Sequence, residues 1–155
     1  MRKIFIPIVA TITLILCSIL CACTNSDINI ENTNWQLQVA IQADVENLES
    51  QVIARNNEWV VEDATIPVVN VTLVANNNKI TITDNIDTNK SFVGNYKKVD
   101  TIGVETVVYK VTINESSGNA NVSTTKCNDG VKTKTLILTL FKDDIQYTLN
   151  FMPKN

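Results

Sequence analysis

The chain has 155 residues, with 13 basic and 16 acidic side chains, four cysteines and no histidine. The missing histidine excludes His-dependent triads, His-ligated zinc and the usual general base near neutral pH. A net charge of −3, with the lysines scattered along the sequence, argues against a nucleic-acid partner.

The first residues read as an export signal: Arg2 and Lys3 supply a positive start, and Ile4 to Leu20 carry no charge. The run Leu20-Cys21-Ala22-Cys23 follows. It resembles the bacterial lipoprotein signal, in which a Leu three positions and a small residue one position before a cysteine direct its lipidation. The resemblance implies a signal peptide over 1–22 and acyl chains, palmitate among them, on Cys23. Cys17 and Cys21 are poorer candidates, because each follows a large apolar residue. Two other readings stay open. The apolar stretch is close to the roughly 17 to 25 residues that a membrane-spanning helix needs, so it can remain as an uncleaved anchor. It can also be an ordinary secretory signal. All three export the domain, and the expected address is the membrane of the bacterial cell envelope.

Loss of Arg2 and Lys3 with the signal leaves 11 basic residues against 16 acidic ones, a net charge of −5. Attachment is therefore expected through acyl chains on a membrane surface, not through electrostatic docking on anionic lipid. Only Cys23 and Cys127 remain after processing. With Cys23 acylated, Cys127 has no partner and is expected as a small buried strand residue in a domain without a disulfide.

Residues 23–33 are short, polar and without period, and read as the lipidated tether. One domain is expected over 34–155. Trp35, Leu37, Val39 and Ile41 alternate with Asn34, Gln36, Gln38 and Ala40, the pattern of a strand with one buried face. Residues 44–55 are the one helix candidate. Asp44 stands at the N-cap, Val45, Leu48, Val52 and Ile53 share a face, and Arg55 suits the C-terminal end of the dipole.

From residue 58 onward every segment reads as strand. The runs are Trp59–Val61, Val68–Ala75, Lys79–Thr83, Phe92–Val99, Val104–Ile113, Ala120–Cys127, Val131–Phe141 and Ile145–Phe151. The connections at 76–78, 100–103, 116–119, 128–130 and 142–144 are turns by composition. Links this short make neighbouring strands antiparallel. The fold class is therefore mainly β: an antiparallel meander of about eight or nine strands closed into a small barrel, with one short helix at 44–55. Closure hides the strand edges most directly, and a two-layer sandwich is the alternative. The expected inward set is Leu73, Ile82, Tyr96, Val107, Tyr109, Val111, Ile113, Leu136, Leu138, Leu140, Tyr147, Leu149 and Phe151.

Trp35 on the first strand and the run Phe92-Val93-Gly94-Asn95-Tyr96 resemble the lipocalin-like barrels of small bacterial lipoproteins. That resemblance implies a non-enzymatic binding domain for a small apolar ligand. Trp35, Tyr96, Tyr109, Leu138 and Tyr147 are the candidate cavity lining, weighed against ordinary core packing of the same aromatic residues.

Other motifs read as structure. Ser123-Thr124-Thr125-Lys126 satisfies Ser-x-x-Lys, but on a strand its ends lie roughly 10 Å apart at about 3.3 Å per residue. Asp84 to Asn89 is rich in oxygens yet fails the EF-hand pattern in both registers, so a polar loop is expected there. Glu62-Asp63 and Asp143-Asp144 are adjacent carboxylates flanking turns. No catalytic residue, metal or cofactor is assigned, and no enzyme is expected. The alternative to a ligand carrier is a structural or protein-interaction lipoprotein with a filled core.

Overall fold

The computed structural model describes residues 28–56, 65–87, 90–126 and 132–154. The signal with Cys23, the expected 59–61 strand, Glu62-Asp63, the 128–130 turn and Cys127 lie outside them.

Nine strands follow in order: β1 (Trp35–Asp44), β2 (Glu49–Arg55), β3 (Val71–Asn76), β4 (Lys79–Asp84), β5 (Ser91–Ile102), β6 (Thr106–Ile113), β7 (Ser116–Lys126), β8 (Lys132–Lys142) and β9 (Ile145–Pro153). β3 to β9 form an antiparallel meander, and β1 pairs along its whole length with β9, from Trp35↔Pro153 to Asp44↔Ile145. At its start β1 also pairs with β3, through Trp35↔Leu73 and Gln36↔Thr72. These contacts close an eight-stranded barrel, as the need to hide strand edges predicts. β2 is the additional strand. It takes over the same edge of β1 from Val39↔Arg55 to Asp44↔Glu49, beyond the point where β3 leaves it. The Arg55↔Val68 bridge and the Val69 N–H donated to the Arg55 carbonyl join β2 to the chain entering β3.

The expected inward set forms one core. Its members are buried, except Tyr147 and Leu149, which are half-buried and packed against the same cluster. Two glycines let strands approach closely on this inner surface. A Cβ at Gly94 would sit 2.2 Å from the Thr112 carbonyl oxygen, and one at Gly118 would sit 1.9 Å from that of Thr139. The β3–β4 turn uses Asn77 and Asn78 at φ 50° and 62°, the paired left-handed conformation of a two-residue hairpin loop.

Three expectations are corrected. Residues 44–55 are a hairpin, not a helix. Asp44 Oδ1 accepts the N–H groups of Glu46 and Asn47 at 3.0 Å each, as an N-cap would, but Leu48 at φ 58° then reverses the chain. Pairing of β2 against β1 outweighs the helical spacing of its apolar residues. Second, two turns shift: Ser116 to Asn119 belong to β7 and the turn is Asn114-Glu115, with Asn114 at φ 52°, while Asp100 to Ile102 belong to β5 and the turn is 103–105, with Gly103 at φ 60°. Third, the expected tether is partly folded, because Ile28 and Ile30 are members of the core.

Candidate functional site

Antiparallel order sends alternate connections to opposite ends of the barrel. Call the tether end the one holding residues 28–34 and the turns at 77–78 and 103–105. The mouth end holds the turns at 45–48, 114–115 and 143–144 and the β4–β5 connection.

The tether end is closed by the chain itself. Ile30 is fully buried there; its N–H donates to the Tyr109 hydroxyl at 3.2 Å, and its carbonyl accepts from Trp35 Nε1 at 3.0 Å. Tyr96 donates its hydroxyl to the Glu31 carboxylate and meets the Tyr109 ring edge-to-face, 5.7 Å between centroids. Burial, and then the hydrogen bond to Glu31, push the Tyr96 phenol far above its ordinary pKa. Burial, and more weakly the Glu31 charge, push Tyr109 up as well. Both phenols are therefore neutral donors and acceptors near neutral pH.

The mouth end is hollow. A cavity of about 490 Å³ opens there, lined by side chains from all parts of the barrel wall. Leu37, Ala40 and Ile41 come from β1, and Ile53 and Ala54 from β2. Val71, Ile82, Phe92 and Ile113 come from the meander, and Leu140, Tyr147 and Leu149 from β8 and β9. The volume falls in the 300–1,000 Å³ range typical of small-molecule sites, and eight strands enclose room for one such ligand. A bulge places Ile53 opposite the Ala40/Ile41 step, so β2 forms a piece of the wall that the meander leaves open.

The rim carries the charge. Lys142 Nζ lies 3.0 Å from Glu115 Oε2, and this hydrogen-bonded carboxylate raises the Lys142 pKa. Both groups are solvent-exposed, so the pair contributes little to stability. It leaves the chamber floor apolar and its ionisable edge paired.

Of the five residues expected to line a cavity, Tyr147 does so. Trp35, Tyr96 and Tyr109 stand together at the closed end instead, and Leu138 is fully buried in the core. What sequence reasoning missed is the small-residue pair Ala40↔Ala54 and the part of the wall that β2 supplies around it. Alternation put Ala40 on the polar side of β1 with Gln36 and Gln38; the irregularity between Leu37 and Val39 turns it into the core instead.

The other motifs are absorbed by the strands. Ser123 lies on β7 with its hydroxyl 3.0 Å from that of Thr106, its cross-strand partner. Asp84 accepts from the Ile86 N–H at 2.9 Å and Asp87 pairs with Lys90 at 3.3 Å, so both carboxylates serve the loop. No group of three potential metal ligands occurs among the described residues, and no described helix is long and apolar enough to cross a membrane.

Fold and cavity together define a class: a small antiparallel β-barrel, plugged at one end and open to an apolar chamber at the other. Comparison with family models, curated proteins and solved structures finds no match to the chain.

Proposed function

We propose that this is a lipid-anchored lipoprotein of the bacterial cell envelope whose lipocalin-like barrel binds a small apolar molecule. The observation that carries the reading is the chamber at the mouth, apolar within and large enough for one ligand. Binding is favoured over catalysis because the ionisable pair at the rim, Glu115 and Lys142, is mutually neutralised. The signal-like run ending in Cys23 supports the address, and acyl chains there would hold the barrel at a membrane surface.

The test is a fluorescence titration of residues 24–155 with N-phenyl-1-naphthylamine, an uncharged apolar probe. Saturable binding at one site is expected. Ala54→Trp, which fills the chamber from β2, should weaken it about tenfold or more while moving the thermal midpoint by only a few degrees. Absence of saturable binding would favour the filled-core interaction lipoprotein. Native mass spectrometry after exposure to an envelope lipid extract then identifies the natural ligand by its mass.

A further inference from the structure

The scattered lysines of the sequence are not scattered in space. Lys79, Lys97, Lys98, Lys132, Lys134 and Lys154 all lie in the tether half of the barrel, where Glu31, Asp100 and Glu105 are the described carboxylates. The mouth half is the reverse: its described lysines, Lys90 and Lys142, are each paired with a carboxylate there. Asp44, Glu46 and Glu49 mark its first turn, Asp84 and Asp87 its second, and Glu115, Asp143 and Asp144 the others. A net charge of −3 thus hides a separation of sign along the barrel axis.

Two details sharpen the basic end. Lys97 and Lys110 are direct cross-strand partners on the outer face of β5 and β6, a like-charge pairing that destabilises a sheet by itself. Both ion pairs found among the described residues are at the mouth, and neither uses a tether-half lysine. The β5–β6 hairpin also projects an apolar tip at this end. Val99, on the bulge, is 61% exposed, Ile102 62% and Val104 72%.

Chain length fixes where this face sits. Four residues separate Cys23 from Ile28, and Ile28 is held in the plug at the tether end. At about 3.4 Å per residue the span from Cys23 to Ile28 is at most ~17 Å, shorter than the barrel is long.

We propose that the tether end of the barrel is a membrane-docking face. Its lysines contact anionic lipid headgroups and the Val99–Val104 hairpin tip enters the interface, while the acidic mouth points away from the bilayer. Basic residues near an anionic surface and apolar side chains at the headgroup boundary act in the same direction. The orientation rests on the anchor reading of Cys23; the charge separation and the apolar tip do not.

The test uses the full chain produced with its signal in a bacterial host and mixed with vesicles containing brominated lipid. The vesicles are either phosphatidylglycerol-rich or pure phosphatidylcholine. Val104→Trp reports the tether end and Leu48→Trp the mouth, each read against the unsubstituted chain. The expected result is a blue shift and bromine quenching for V104W in the anionic vesicles, lost when Lys97→Glu and Lys98→Glu are added, with L48W unaffected. Equal quenching at both ends, or none at V104W, overturns the docking face. The mass of the same sample reads the acyl chains separately. Protein without them ends the anchor reading, and the quenching pattern still decides the face.

Discussion

Glu31, Tyr96, Tyr109 and Trp35 make the closed end a polar lock on an apolar plug. The Ile30 N–H, the Ile30 carbonyl and the Glu31 carboxylate each meet a polar group on an aromatic ring of the barrel. Tyr96→Phe removes the donor to Glu31 and leaves a half-buried carboxylate unsatisfied. A loss of about 1–3 kcal/mol is expected in denaturant unfolding. The same residue sets a pH response. A phenol whose pKa is raised by folding keeps its proton longer in the folded state than in the unfolded one. Its stabilisation is complete below the ordinary phenol value near 10 and is lost as pH climbs toward the higher folded value. Thermal midpoints measured from pH 8 to 11.5 should therefore fall above pH ~10, and fall less steeply in Tyr96→Phe.

At the scale of elements, the β1–β2 hairpin carries a costly turn. Its turn ends on Leu48, which is 90% exposed and holds φ 58°, a conformation that an apolar residue with a Cβ adopts at a cost. Leu48→Asn should stabilise by about 0.5–1 kcal/mol, read as a higher urea midpoint with unchanged slope. This turn is also where the sequence misleads. Asp44 performs the same side-chain-to-backbone bonding in a turn as at a helix start, and Val45, Leu48, Val52 and Ile53 fit a helical face by coincidence of spacing. The choice is made by the cross-strand register Gln42↔Gln51, which helical spacing does not contain. Elsewhere period-two alternation was enough to find the strands and most of the core, because one face of each is buried; Ile28, Ile30, Ala40, Ala75, Ile80, Ala120 and Val122 join that core from outside the expected set. Gly118 was read as part of a turn. It is instead a strand glycine facing Thr139, a role that only a neighbouring backbone reveals. The site was legible only at Tyr147. The plug that moves the cavity to the other end depends on Ile30 meeting a tyrosine 79 positions away.

At the scale of the whole molecule, the separation of charge should select among ligands as well as orient the barrel. The carboxylates around the mouth repel an anion approaching the chamber and leave an uncharged one unaffected. The anionic probe 1-anilinonaphthalene-8-sulfonate should bind more weakly than N-phenyl-1-naphthylamine at low ionic strength. The gap should narrow as salt shortens the screening length from about 10 Å at 0.1 M to about 3 Å at 1 M. Isothermal titration of both probes across that range measures it.

The threaded plug also has a mechanical meaning. A pull on the chain ahead of Ile28 would reach the barrel first through Ile28, Ile30 and Glu31, with the bonds of Ile30 to Tyr109 and Trp35 and of Glu31 to Tyr96. The load meets this short latch before it meets β1, whose ladder with β9 runs from Trp35 to Asp44. Tension along the leash is thus taken up at the stopper, and the chamber at the far end is mechanically insulated from it.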